Sequence, residues 1–570
     1  MKTRDFLGKE LRKQMLHSSR LWLTVAIISM LVLSAYNLVI SWLLQKIIDV
    51  AAGRDLTPLG IVFTVAGVSF AVFVAAYLVY RTARPRFIQK AIEYYKATAF
   101  KKILAKPIGS LSGDRAGKVI SALTNDVRSV EDNYLDSILT MVDIGVSFVG
   151  ALVLMIWYSP ALTVISLILS LLPLLVAVKP AKQLAEKERA VSDSNAQFVG
   201  RMKDVLSGFS VIKSFQAESE ISKRFIDYNH ALETTKFTRR FVEENVNLLS
   251  TATSVIMRLG VFFAGAWMAT KGGNVTPGMV LVFLQLVSFV ISPIEQMPTI
   301  FANRKAAVAI MDKLTDYLSE QASGVGIELP QKEIDEIAVQ NLSFSYDGHP
   351  ALCDISYTFE HGKKYAVVGS SGSGKTTLLN LLMKSNSQYS GHILIDHVEQ
   401  REIDPTSYLK TMSLVQQGVF LFNDSIEKNI TLYKTFADEE VNRAIIGAGL
   451  DEVIKRHGME YVCGDNGEAL SGGERQRISI ARAILRKTSV LLMDEATSAL
   501  DDATAREVMS TILGMEGVTR IVVTHRIDES IMKQYDEILV LNKGELVEHG
   551  AFDSLIEKKG LLYSLLAVSQ

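Results

Sequence analysis

Residues 21–44, LWLTVAIISMLVLSAYNLVISWLL, hold no charged side chain over 24 positions. Wound as an α-helix at 1.5 Å per residue, such a stretch is about 36 Å long, enough to cross a hydrocarbon core of about 30 Å with some tilt. It is too long for the apolar core of a signal peptide and is kept as structure. Five further apolar segments follow, at 57–80, 137–157, 160–178, 248–270 and 277–294. The third and fourth are separated only by Tyr158–Ser159–Pro160, the mark of a tight turn. After about residue 320 the long apolar runs stop and mixed charge takes over. The pattern predicts six membrane-spanning helices (1–320), a linker (321–336) and one soluble domain (337–570).

Lys and Arg in the connecting segments set the orientation. The first 20 residues hold six, segment 81–136 eleven and segment 179–246 twelve. The alternate segments, 45–56, 158–159 and 271–276, hold two, none and one. Both termini, the two long segments (56 and 68 residues, too long to be mere connections) and the soluble domain are therefore expected in the cytoplasm. A formal net charge of −1 gives no electrostatic case for a nucleic-acid partner. Cys353 and Cys463, the only cysteines, both fall in the cytosolic half, so no disulfide framework is expected. The 20 residues ahead of the first span contain no Cys, and no leader-peptidase domain is expected there.

In the soluble half, KYAVVG (364–369) reads as a short strand, followed by GSSGSGKTT (369–377) and the helical LLNLLMK. Strand, glycine-rich loop and helix together form a phosphate loop: Gly369, Ser370, Ser371, Gly372, Ser373, Gly374 and Thr377 shape the cradle. Lys375 reaches the outer phosphates, and the Thr376 hydroxyl is placed for Mg²⁺. SVLLMDEATSALD (489–501) is a second buried strand ending in two acids. Asp494 sits where a strand-end carboxylate can hold the Mg²⁺ shell, and Glu495, one residue further, where it can activate water. A charged strand terminus is the plainer alternative. RIVVTHR (520–526) ends a third strand at His525, a candidate γ-phosphate sensor. Gln417, in SLVQQGVFLF, offers a neutral amide able to touch both Mg²⁺ and water. NLSFSYDGHPALCDISYTF (341–359) predicts a hairpin turning at Asp347–Gly348, with Tyr346 either stacking on adenine or simply exposed. ALSGGERQR (469–477) opens a helix behind a serine and two glycines, a second seat for an anion.

In their order and spacing these motifs resemble the nucleotide-binding domain of ATP-binding cassette (ABC) transporters over about 337–570, and the six-helix half extends the likeness to a half-size exporter. The resemblance implies an all-α six-helix transmembrane domain followed by an α/β phosphate-loop ATPase domain with an antiparallel β subdomain and a helical subdomain. It implies ATP and Mg²⁺ as cofactors. Tyr346 looks like the adenine-stacking aromatic; Lys375, Thr376, Gln417 and Asp494 like the phosphate and magnesium set; Glu495 like the catalytic base and His525 like the switch histidine. Ser471, Gly472 and Gly473 correspond to the signature that meets γ-phosphate, and Asp501 to the acid of the loop that communicates between two sites. Asp465 holds the place of an acid that touches the membrane domain's loops. The signature reads LSGGE where many members have LSGGQ.

Segments 113–122 and 208–216 resemble coupling segments, with Phe215 the candidate aromatic that docks on a partner cassette. One cassette cannot form a two-site sandwich, so a dimer is implied, with a second copy of itself or a paralogous half-transporter. The undegraded motif set favours the homodimer. The expected activity is ATP-driven export of a peptide, a lipid or an amphiphilic small molecule, with membrane lipid around the spans. An exporter-fold importer (of a siderophore, for example) and an ATP-gated channel are the alternatives. Within the spans, Arg258, Asp143 and Glu295 either surround a polar cargo cavity or pair and snorkel for packing. Pro173, Pro293 and Pro298 are positioned to kink helices.

Overall fold

A computed structural model describes residues 2–106, 108–111, 114–178, 181–271, 275–319, 326–329, 333–346 and 348–569. It divides into two compact units: Met1–Lys102 with Gly117–Ser319, and Ile103–Ala116 with Glu320–Gln570.

The first unit is helical throughout. In hydrocarbon every backbone N–H and C=O must be satisfied inside its own segment, which a helix does. A short helix, α1 (Lys2–Ser18), precedes α2 (Arg20–Ala51) and α3 (Leu59–Leu104). Next come α4 (Asp114–Leu123), α5 (Asn125–Val130), α6 (Asp136–Tyr158) and α7 (Pro160–Val178). Then follow α8 (Ala181–Ser207), α9 (Phe209–Ser214), α10 (Glu218–Thr270) and α11 (Pro277–Ser319). Among the described residues, five helical stretches are long and apolar enough to cross a membrane; a shorter apolar stretch, Pro160–Pro173, lies in α7. The break between α6 and α7 is one extended residue, Ser159, and Pro160 opens α7 where its missing N–H is not needed.

The apolar segments are parts of much longer helices. α10 runs 53 residues, about 80 Å at the usual rise. Pro173, Pro293 and Pro298 lie inside the continuous helices α7 and α11 and do not end them. Met155, Leu162, Met257, Val261, Phe283 and Leu286 fill the core where α6, α7, α10 and α11 meet. Polar clasps join the helices. Arg84 grips Asp136 through both oxygens, at 2.7 and 2.8 Å. Asp49, 1% exposed at the end of α2, accepts from Gln45 (2.5 Å), the Thr276 hydroxyl (2.7 Å) and the Gly278 N–H (2.9 Å) at the start of α11. A Cβ at Gly278 would stand 2.5 Å from the Gln45 carbonyl, so the close approach requires glycine.

The second unit carries two sheets. One is antiparallel, in the order β2 (His349–Glu360), β1 (Glu336–Tyr346), β4 (Ser390–Ile395), β5 (Val398–Glu399). The other has six strands: β10 (Glu545–Gly550), β9 (Glu537–Asn542), β3 (Lys364–Gly369), β8 (Thr519–Val523), β7 (Val490–Asp494) and β6 (Met412–Val415). In it β9, β3, β8, β7 and β6 run parallel, with β10 antiparallel at the edge. β3, β7 and β8 are buried on both faces and rich in apolar residues, with Thr519 and Arg520 buried at the start of β8. Helix α12 (Lys375–Leu382) follows β3, and α13 (Pro405–Thr411) precedes β6. α14 (Ile426–Thr431), α15 (Asp438–Gly447), α16 (Asp451–His457) and α17 (Gly472–Arg486) then lead to β7, and α18 (Asp502–Leu513) to β8.

Candidate functional site: a phosphate loop and two strand ends

Parallel strands β3, β7 and β8 end side by side, and the chemistry-bearing residues follow their carboxyl ends, the usual place for a ligand crevice in such a sheet. β3 runs into the glycine-rich loop. Gly374, φ +99°, caps α12 in the left-handed region, and a Cβ there would stand 2.6 Å from the Ala351 carbonyl. No side chain caps α12, so its first N–H groups remain available to an anion. Lys375 is buried, and its ammonium donates to the loop carbonyls of Gly369 (3.0 Å) and Ser370 (2.8 Å). Burial pushes its pKa down, while Glu495 and Asp494 pull it up. Ser370, Ser371 and Gly372 are exposed along the loop, Ser373 and Thr377 are buried, and Thr376 lies beside Asp494.

β7 ends on Asp494, whose carboxyl is pushed up by burial against the opposing pull of the Thr376 hydrogen bond. Glu495 turns out of the strand at φ +48°, a conformation that costs a non-glycine residue about 1–3 kcal/mol and clusters at functional sites. Its N–H donates to the Val523 carbonyl on β8 (3.0 Å), which fixes the turn. Its carboxylate is held at both oxygens: Oε1 lies 2.6 Å from Nε2 of His525, and Oε2 accepts from Gln417 Nε2 at 2.8 Å. Two residues from other parts of the sequence, His525 and Gln417, thus converge on the Glu495 carboxylate.

Two buried oxygens in this crevice, Ser373 Oγ and Asp494 Oδ1, have no partner among the described residues. Buried polar atoms are normally paired. A hydroxyl inside a phosphate loop and a carboxylate oxygen beside Thr376 fit a phosphate and a divalent cation, so the donor set suits ATP with Mg²⁺. Tyr346, half exposed at the end of β1, packs edge-on against Phe344 and leaves a free face. Its hairpin pairs Tyr346 with His349; Gly348 takes φ +84°, while Asp347 lies outside the described residues.

The signature stands apart. Ser471 caps α17, its hydroxyl accepting from the Glu474 N–H (3.3 Å) while the Glu474 carboxylate accepts from the Ser471 N–H (2.7 Å). This is a capping box, written in the sequence as S-x-x-E but read there only as a family motif. Burial raises the Glu474 pKa, and the Ser471 donors with His457 and Arg456 outweigh it, so the net shift is down. Gly472 and Gly473 face Ala499, within 3.6 and 3.1 Å of an added Cβ. Asp501 caps α18 through the Thr504 N–H (3.0 Å), which holds its carboxyl below the usual range. Asp465 accepts from Asn423 (2.7 Å). Among the described residues no hydrogen bond or ion pair joins Ser471, Gly472 or Gly473 to residues 369–377.

Sequence reasoning missed the fasteners around these loops. Gln476 on α17 bonds the Ser498 hydroxyl (3.1 Å) and the Ala499 N–H (3.0 Å). Arg482 donates to the Phe420 carbonyl (2.8 Å), beside Gln417 in sequence. Arg526, next to His525, reaches the Leu500 carbonyl (2.9 Å) and Asp502 (3.1 Å). The coupling candidates form α4, which begins just after Gly113 (outside the described residues), and α9, with Phe215 beyond its end 80% exposed.

The helical unit matches the family signature "ABC transporter transmembrane region" over residues 23–294, and the sheet-bearing unit matches "ABC transporter" over 352–498. The uncharacterized ABC transporter ATP-binding protein YfiC of Bacillus subtilis (strain 168) is 30% identical over 495 residues, 83% of this chain and 79% of that one. The ATP-dependent lipid A-core flippase of Syntrophus aciditrophicus (strain SB) is 29% identical over 499 residues, 84% and 80% of the two chains. That of Photorhabdus laumondii subsp. laumondii is 28% identical over 570 residues, 96% and 95%. A solved bacterial Atm1-family ABC exporter with ATP bound shares the fold, with a TM-score of 0.79 over 96% of this chain and 98% of that one at 24% identity. The chain belongs to the ABC transporter family. It is an ATP hydrolase coupled to transport across a membrane.

Proposed function

We propose that two copies of this chain act together as an exporter that moves a lipid or amphiphile out of the cytoplasm. In this reading residues 1–320 form a six-span transmembrane domain and 337–570 a cytoplasmic nucleotide-binding domain, with both termini cytoplasmic. The observation that carries it is the Glu495 carboxylate, held by His525 and Gln417 at a strand end beside the phosphate loop. A base must be in position before water can be activated, and two hydrogen bonds from separate elements position this one. Lys375 and the loop amides receive the phosphates, and Tyr346 takes the adenine face. Thr376, Asp494 and Gln417 would hold Mg²⁺, which neutralises phosphate charge when bound. Glu495 accepts the proton of the attacking water. His525 and Gln417 link that event to the loops that carry them.

Ser471, Gly472 and Gly473 open a second anion seat at the start of α17, unbonded to this chain's own phosphate loop. The arrangement suits closure on the neighbouring copy's ATP, with Asp501 and the 496–501 loop carried along through Gln476. Relatives named as lipid A-core flippases favour a lipid or amphiphile over a peptide. The test is ATP-dependent movement of a fluorescent lipid in vesicles whose cassettes face outward. Wild type should move lipid and lose ATP turnover about 10²–10⁴-fold on Glu495→Gln. Full turnover in Glu495→Gln would remove Glu495 as the base.

A further inference from the structure

The three ionisable residues in or at the end of the apolar segments are not alike. Asp143 is half-buried and accepts from the Ser34 hydroxyl at 2.6 Å, a contact between α6 and α2. Arg258 and Glu295 are exposed. Met257 and Val261 turn into the core against Leu286 and Val287, while Arg258 points away from it. Arg258 has no hydrogen bond or ion pair with any described residue. Among the described residues Glu295 receives only a long contact from the Ser254 hydroxyl, at 3.4 Å. Ser254 lies one turn before Arg258 on α10, about 6 Å along the axis. A cation and an anion therefore stand on neighbouring helices, roughly a turn apart, without closing on each other.

A charge at the centre of a span costs about 2.5–3.5 kcal/mol on insertion scales, so a residue such as Arg258 faces polar surroundings or a charged ligand. Opposite signs at this spacing disfavour a purely anionic or purely cationic occupant: either would meet one like charge. The surrounding surface is apolar, with Val255 and Phe262 exposed one turn either side of Arg258. We propose that Arg258 and Glu295 receive the two ends of a zwitterionic headgroup, an ammonium–phosphate pair on a lipid. The guanidinium takes the phosphate, for which its planar fork is suited, and the carboxylate takes the ammonium. Val255 and Phe262 lie against the acyl chains. This assignment rests on the transporter reading above and names the cargo class.

The experiment uses the purified full-length chain in detergent without nucleotide. A phosphatidylethanolamine labelled on its acyl chain is displaced by unlabelled phosphatidylethanolamine, by phosphatidylglycerol (phosphate without ammonium) or by a dialkyldimethylammonium lipid (ammonium without phosphate). Wild type should prefer the zwitterion by about tenfold over either. Glu295→Gln should erase the preference over phosphatidylglycerol, and Arg258→Gln the preference over the dialkylammonium lipid. Arg258→Lys and Glu295→Asp, which keep the charges, should retain the preference and serve if a glutamine variant aggregates. Equal affinity for all three lipids, or glutamine variants that weaken all three alike, would overturn the proposal. So would single variants that dissociate the dimer and are rescued by the exchange Arg258→Glu with Glu295→Arg, which would mean pairing between copies. ATP turnover of the same sample separates the two readings. Turnover without headgroup preference removes this inference alone, whereas absent turnover removes the transporter reading.

Discussion

Two helices of the sheet-bearing unit begin at glycine- and serine-rich turns, proposed above as seats for an anion, and they are built in opposite ways. Among the described residues no side chain caps the first turn of α12 and the hydroxyl of Ser373 has no partner, while Lys375 adds a buried positive charge. At α17 Ser471 and Glu474 satisfy each other's backbone groups before any ligand arrives. A helix start without a side-chain cap leaves donors open, whereas a capped one is stable by itself. In the proposed reading the first seat holds a phosphate outright. The second is a finished edge, suited to pressing on an anion that another surface already holds.

Breaking the first seat should have the larger effect. Lys375→Ala removes the charge-assisted contacts that would hold a triphosphate and should weaken nucleotide affinity by roughly ten- to a hundredfold, the equivalent of about 1.5–3 kcal/mol. Equilibrium binding of a fluorescent ATP analogue reads this; unchanged affinity would show that the loop amides suffice. Ser471→Ala removes the cap of α17 and should lower stability by about 1 kcal/mol, measured by thermal or denaturant unfolding, while leaving single-chain nucleotide affinity intact. A Ser471→Ala chain that fails to bind nucleotide would place both seats on one ATP.

The smallest effect is in acid. The Glu474 pKa is held below its usual value, so its contribution is complete above the ordinary carboxylate range and is lost as pH falls through the lowered pKa. Glu474→Gln keeps the capping geometry, since Gln also serves at that position. At neutral pH it should lower stability by less than Ser471→Ala does. It should also flatten the acid limb of the stability profile. An unaltered acid limb would mean that Glu474 keeps an ordinary pKa.

Where function was legible in the sequence, the signal was local. The phosphate loop and the strand ending in Asp494–Glu495 are short runs whose spacing reports their geometry. The convergence of Gln417 and His525 on Glu495 depends on β6, β7 and β8 lying side by side, which no local pattern encodes. The same limit hid Asp49, whose partner Gly278 lies 229 positions away. It also hid Gln476 and Arg482, which look like ordinary polar residues of a helix yet fasten neighbouring loops. Hydropathy located the apolar stretches but not the helices that contain them. Residues 218–247 belong to the same continuous helix α10 as the apolar 248–270, although they are charged and carry no hydropathy signal. The charges in and beside the apolar segments were visible at once, but their division into a bonded Asp143 and an exposed Arg258 and Glu295 required packing.

The central claim, that each ATP is shared by the phosphate loop of one copy and the α17 seat of the other, is tested by ATP turnover of purified mixed dimers. Chains carrying Ser471→Arg paired with chains carrying Lys375→Ala keep one of two composite sites intact and should retain turnover. Both substitutions in one chain, paired with wild type, spoil both sites and should abolish it. The reverse pattern, with activity only when both defects sit in one chain, would show that each chain completes its own site.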